Sequence, residues 1–137
     1  MRSPFRLVLL AAALPGTAAR AADEPPPMTA KVECARLVEP GRVRCEVEVR
    51  AASGHPVHWA DAVVVEAPPF APPLRARVGP AEATTHEDSV WRWAIALAAR
   101  GRGTGTIRIR VRGVACPTEA CVPFEVEARG EVAVGVP

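Results

Sequence analysis

The chain has 137 residues, 49% hydrophobic and 23% charged, which is ordinary for one folded domain and too apolar for a disordered chain. Its formal net charge is +2. Without Arg2, Arg6 and Arg20, which lie in a segment expected to be removed, the 17 basic residues become 14 against 15 acidic ones, a net charge of −1. Neither net charge gives the protein a strong positive field that would attract nucleic acid or an anionic membrane, so we expect neither as a partner.

The N-terminal 22 residues have the pattern of a cleavable signal peptide. Arg2 and Arg6 precede an apolar run, Leu7–Leu14, and alanines flank Arg20 at the two positions that signal peptidase reads. A membrane span needs about 20 apolar residues, so the run is too short to be an anchor. We expect residues 1–22 to be removed and the mature protein to be periplasmic or secreted; a buried N-terminal helix is the alternative.

A Pro-rich leader over residues 23–29 precedes one predicted domain over residues 30–137. The dominant period within this domain is two, because apolar residues alternate with charged ones in short runs that Pro and Gly turns separate. The runs are residues 31–34, 43–50, 61–66, 91–97, 107–112, 124–129 and 132–136. Only the Ala-rich stretch 94–100 is ambiguous between helix and strand. The pattern favours an all-β antiparallel sandwich or barrel.

Four cysteines can pair in three ways, and the strand pattern helps to choose among them. Cys34 and Cys45 each fall on the same side of their strand as the neighbouring apolar residues. A turn at Pro40-Gly41 would place the two cysteines opposite each other on neighbouring strands. The same register pairs Val32 with Val47. We predict a buried, cross-strand structural disulfide between Cys34 and Cys45; two inert core thiols are the alternative.

Cys116 and Cys121, in contrast to the first pair, each fall on the solvent-facing side of their strand. A hairpin that places them opposite each other also pairs opposite charges and apolar residues: Arg112 with Glu125, Arg110 with Glu127, and Val111 with Val126. A bulge at Gly113 would shift this register. We therefore predict an exposed disulfide at the tip of a β-hairpin.

A Cys116–Cys121 bond would close a loop of six residues, which stabilises a fold by about 2 kcal/mol in the chain-entropy model. A bond from Cys34 to Cys121 would stabilise the fold by about 4.5 kcal/mol in the same model, so the local bond contributes little stability by comparison. Its exposure leaves it open to attack by a thiolate, as in disulfides that exchange. A purely structural hairpin clip is the alternative, because two cysteines separated by four residues are a weak motif.

The segment Gly113–Phe124, GVACPTEACVPF, resembles the end of the periplasmic N-terminal domain of the thiol:disulfide interchange protein DsbD family. The resemblance extends more weakly through residues 91–111 and implies an immunoglobulin-like β-sandwich. In that family the two cysteines cycle between dithiol and disulfide, carrying electrons from a membrane-embedded reductase to periplasmic thiol proteins. The resemblance implies that Cys121 forms the mixed disulfide with a partner and that Cys116 resolves it.

A cap loop shields the cysteines in that family. Its counterpart by order along the chain lies around residues 82–89, and Phe70 from another loop is an alternative shield. The sequence has neither the membrane-embedded hub nor the thioredoxin-like domain of the family. By the resemblance it would be a stand-alone carrier, would borrow a separate membrane reductase, or would keep the fold without the electron flow. Cys34 and Cys45 are an addition that the family pattern does not include.

Other candidate sites are weaker. His55, His58 and His86 with a cysteine could bind zinc or copper, but their spacing matches no ligand set, and solvated loop histidines are the simpler interpretation. Trp91 and Trp93 could form a ligand platform, but their strand spacing indicates core. We expect no cofactor and no metal.

The sequence thus predicts an exported immunoglobulin-like domain that exchanges disulfides through Cys116 and Cys121, as a component of a thiol:disulfide oxidoreductase system. A non-catalytic secreted interaction module with two structural disulfides is the first alternative. A periplasmic metal binder is the second.

Overall fold

The computed structural model describes residues 12–13, 15–16 and 27–136. Most of the predicted signal peptide, residues 1–22, lies outside the described residues, and so does the first part of the predicted leader. The last two leader residues, Met28 and Thr29, already belong to the first strand. Among the described residues, no helix is long and apolar enough to cross a membrane.

The described domain consists of eight β-strands and one short 3-10 helix at Pro80–Glu82. The strands are β1 Met28–Cys34, β2 Gly41–Ala51, β3 Val57–Glu66, β4 Arg77–Val78, β5 Thr85–His86, β6 Val90–Ala99, β7 Gly103–Ala115 and β8 Val122–Val134. The ambiguous stretch 94–100 is therefore almost entirely strand. Its alternate residues are buried, which is the pattern of a strand with one face in the core.

The strands form two antiparallel sheets, with the orders β1-β2-β6-β5 and β4-β3-β7-β8. Immunoglobulin domains place their first, second, fifth and fourth strands in one sheet and their third, sixth and seventh in the other. The present order matches that arrangement, with β4 as an additional strand beside β3. The prediction of an all-β, immunoglobulin-like antiparallel β-sandwich is confirmed.

The core lies between the two sheets and follows from the period-two pattern. In β6, Trp91, Trp93 and Leu97 are fully buried, and Ile107 and Ile109 of β7 are buried in the same core. The indole Nε1 of Trp93 donates a hydrogen bond to the backbone carbonyl of Gly79 at 3.0 Å. The tryptophans are therefore core residues and not a ligand platform.

One carboxylate lies fully buried in the second sheet. Asp61 of β3 is 0% exposed, and it accepts hydrogen bonds from Arg77 of β4 at 2.6 Å and from Arg112 of β7 at 2.6 and 3.0 Å. Burial raises the pKa of Asp61, but the hydrogen bonds and charges of Arg112 and Arg77 outweigh burial and hold that pKa below its ordinary value. This ion-pair cluster joins three of the four strands in the sheet.

Candidate functional site

The two disulfides that the strand pattern predicts are both present, and they differ in their surroundings. Cys34–Cys45 joins directly opposed residues of β1 and β2, with Cys45 fully buried and Cys34 half-buried. Cys116–Cys121 closes the loop between β7 and β8, with Cys116 half-buried and Cys121 exposed. The second disulfide is therefore the one that a partner protein can reach.

The Cys116–Cys121 loop lies at one end of the sandwich, together with two other loops. The Cys116 N–H donates to the Pro56 carbonyl at 2.9 Å, which ties this loop to the β2–β3 loop. The Val57 N–H donates to the Asp88 carbonyl at 2.8 Å, which brings in the β5–β6 loop. We call this surface, made of residues 52–56, 87–89 and 116–121, the disulfide end.

The β7–β8 register agrees with the prediction. Gly113 pairs with Phe124 without a bulge, and the pairing runs unbroken from Gly103 to Ala115. The predicted opposite pairs are all found: Arg112 with Glu125, Arg110 with Glu127, and Val111 with Val126.

The ion pairs expected from that register are nevertheless wrong. Arg112 binds the buried Asp61 rather than Glu125, and Arg110 binds Glu125 on the diagonal at 2.6 Å. A buried carboxylate gains more from a guanidinium than an exposed one does, and diagonal neighbours lie within reach of long side chains on a sheet. Arg108 likewise approaches Glu127 and Glu66, each at 3.5 Å. All three arginines of this row already have carboxylate partners away from the sulfur atoms.

An apolar cavity of about 200 Å³ adjoins the Cys116–Cys121 loop. Its lining includes Met28, His55, Pro117, Val122, Pro123 and Phe124. Val122 follows Cys121 directly and is 54% exposed. An apolar side chain next to a partner's cysteine would therefore find an apolar surface beside Cys121.

The two candidate shields of the cysteines have different positions. Of the predicted cap, residues 82–89, the final part (87–89) belongs to the disulfide end. Phe70 is at the opposite end of the sandwich, where its ring packs against Gly103 at the start of β7. Strands rise about 3.3 Å per residue, so the length of β7, roughly 40 Å, separates Phe70 from Cys116. Phe70 as a shield is therefore wrong.

The three histidines do not form a metal site. His86 packs against Trp91 with ring centroids 3.7 Å apart and ring planes tilted by 46°, His58 is exposed on β3, and His55 lies at the disulfide end. No group of three or more His, Cys, Asp or Glu side chains that could hold a metal ion occurs among the described residues. The metal-binding alternative has no ligand set in this part of the chain.

Comparisons with known proteins find no family model and no curated protein that matches the chain. Among solved structures, the PapD-like domain 7 of human CEP192 is similar over 98% of both chains, with 11% identity and a TM-score of 0.44. The bacterial hydrophobin BslA matches 77% of this chain and 95% of its own, with 15% identity and a TM-score of 0.37. A structure of the AAF fimbriae of enteroaggregative Escherichia coli, titled for fibronectin binding and biofilm formation, covers 78% of this chain and 98% of its own, with 10% identity and a TM-score of 0.36. Such distant likenesses assign no function to this chain.

Proposed function

We propose that this chain is a thiol–disulfide exchange domain in which Cys116 and Cys121 cycle between dithiol and disulfide. The observation that carries the proposal is the contrast between the two disulfides: one is built into paired strands, and the other lies at an exposed loop beside an apolar cavity. Exposure is typical of labile, regulatory and catalytic disulfides. The resemblance of Gly113–Phe124 to the DsbD family supports the same assignment.

The exchange transfers two electrons from the reduced chain to a disulfide-bearing protein. The Cys121 thiolate attacks one sulfur of the partner's disulfide, so a Cys121–partner bond forms and the other partner sulfur leaves as a thiolate. The Cys116 thiolate then attacks the Cys121 sulfur, which forms Cys116–Cys121 and releases the second partner thiolate. Cys121 acts first because it is the more exposed of the two. The reverse sequence oxidises a partner dithiol.

The partners are thiol or disulfide proteins of an oxidising compartment. Two disulfides in one small domain indicate such a compartment, because cytosolic thiols are kept reduced. In the periplasm, a separate membrane reductase would reduce the Cys116–Cys121 disulfide again, as the DsbD resemblance suggests.

A second candidate function is a non-catalytic interaction module held by two structural disulfides. The all-β fold and the two closed disulfides fit this candidate without any further assumption. The Cys116–Cys121 bond would then only clip the β7–β8 hairpin at its tip. The exchange proposal therefore has to be tested by chemistry that a clip cannot perform.

Trapping of mixed disulfides separates the two candidates. We expect Cys116→Ser to accumulate mixed disulfides with periplasmic thiol proteins, because the exposed Cys121 can attack but nothing resolves the product. Cys121→Ser is the matched control and should accumulate none. If neither variant traps a protein, while both lose about 2 kcal/mol of folding stability, the bond is a clip and the exchange proposal is wrong.

A further inference from the structure

We infer that His55 carries the proton for thiol–disulfide exchange at Cys121. This inference rests on the proposed function and adds a residue that acts in it. Its basis is that His55 lines one cavity together with neighbours of the two cysteines and a second cavity together with Asp88.

His55 lines two cavities at the disulfide end. One is the apolar cavity of about 200 Å³ next to Pro117 and Val122, the residues that directly follow the two cysteines. The other has a volume of about 300 Å³ and is lined by Asp88 as well. The half-buried His55 thus shares one cavity with the residues that follow the two cysteines and the other with Asp88.

Backbone hydrogen bonds fix this loop on both sides of the histidine. The His55 N–H donates to the Ala52 carbonyl at 3.1 Å, and the next residue, Pro56, accepts from the Cys116 N–H at 2.9 Å. The β2–β3 loop is therefore held against the backbone of a reactive cysteine. These bonds fix the backbone that carries His55 next to the backbone of Cys116.

The hydrogen bonding of the ring leaves one nitrogen free to exchange a proton. Nδ1 of His55 lies 3.3 Å from the Ser53 carbonyl, which can only accept a hydrogen bond. In the neutral ring this contact favours the proton on Nδ1 and leaves Nε2 as the acceptor. A ring nitrogen without a hydrogen can accept a proton and return it, so Nε2 is the atom available for proton transfer.

His55 is the one basic side chain in the three loops of the disulfide end. The three loops contain the acidic residues Glu87, Asp88 and Glu119 but no lysine or arginine. Carboxylates close to a thiol raise its pKa, and a nearby imidazolium lowers it. Arg108, Arg110 and Arg112 of the neighbouring strand already pair with carboxylates.

The proton balance of the step is simple. The Cys121 thiol gives its proton to Nε2 of His55, and the resulting thiolate attacks the partner disulfide. The partner sulfur that leaves as a thiolate receives this proton from the imidazolium. The electron balance remains that of the exchange itself, and no further oxidant or reductant is needed.

The test compares His55→Gln with His58→Gln, a matched control three residues away on the exposed side of β3. The Cys116→Ser form of the chain, with Cys34–Cys45 intact, is alkylated with iodoacetamide across a pH series. We expect His55→Gln to slow alkylation of Cys121 about tenfold at pH 6, because glutamine cannot accept the proton of the thiol. His58→Gln should keep the original profile.

Two outcomes overturn different parts of the account. An unchanged pH profile in His55→Gln, with mixed disulfides still trapped by Cys116→Ser, overturns the role of His55 alone. A failure of Cys116→Ser to trap any partner, whichever histidine is present, overturns the exchange function and the inference with it. Thermal unfolding of both glutamine variants checks that the loop change leaves the fold intact.

Discussion

Replacing Arg77 and Arg112 together by methionine is expected to destabilise the fold by about 3–5 kcal/mol. Both guanidinium groups hydrogen-bond to Asp61, which is completely buried, at distances of 2.6 to 3.0 Å. Methionine keeps most of the apolar stem that covers the carboxylate and removes only the charge and the donors. The variant would therefore leave a buried charge without partners, which is the costly way to break an ion pair.

The stability loss of the double variant should be larger at neutral pH than in acid. In the native protein the pKa of Asp61 is lowered, so its stabilising contribution is fully present above the unfolded pKa and is lost as the pH falls through the folded one. Without the arginines, burial raises that pKa, so the variant regains stability when acid protonates the carboxyl group. Urea unfolding at neutral and acidic pH measures the difference, which should shrink in acid.

A triple variant is the control. Adding Asp61→Asn to the two methionine substitutions removes the buried carboxylate charge that has lost its partners. This triple variant should recover part of the stability at neutral pH. A loss below about 1 kcal/mol in the double variant, or a loss that is equal at both pH values, would show that the cluster is solvated and contributes little.

The second large effect is expected from Gly113→Ala, which should cost about 1–3 kcal/mol. A Cβ on Gly113 would come within 2.6 Å of the Phe124 ring and closer still to the backbone carbonyl of Trp59. Because a carbonyl in a paired strand cannot move aside as a side chain can, the strands themselves would have to shift.

Gly101→Ala provides the matched comparison, since its new methyl group would lie 3.8 Å from Phe70, an ordinary contact. Chemical denaturation of both variants should show a loss for Gly113→Ala and almost none for Gly101→Ala. Equal stabilities would mean that β3 and β8 do not approach Gly113 as closely as described.

The strands and their local pairing could be predicted because they depend on neighbouring sequence. Alternation in β7 and β8 fixes which residues face the core, and a one-residue slip would expose Val111 and Val126 together. The register that aligned these two valines also placed Cys116 opposite Cys121. The same logic across the Pro40-Gly41 turn aligned Cys34 with Cys45.

The contacts between distant strands could not be predicted in this way. Asp61 of β3 binds Arg112 of β7, which lies 51 residues later in the sequence, and no alternation pattern predicts that neighbour. The position of Phe70 cannot be predicted from the sequence, because its segment has no strand period. The contact between Pro56 and Cys116 follows only from the strand order, because immunoglobulin-like folds bring the β2–β3 and β7–β8 loops to the same end.

Equilibrating the full chain with glutathione buffers of graded potential, and then alkylating the free thiols for mass analysis, tests the exchange proposal most directly. We expect Cys116 and Cys121 to become reduced together at a potential within the roughly −120 to −270 mV range of exchange proteins, while Cys34–Cys45 stays closed. If Cys116–Cys121 remains oxidised until below about −300 mV, as structural disulfides do, then the exposed bond is a hairpin clip. That result would contradict the proposed function.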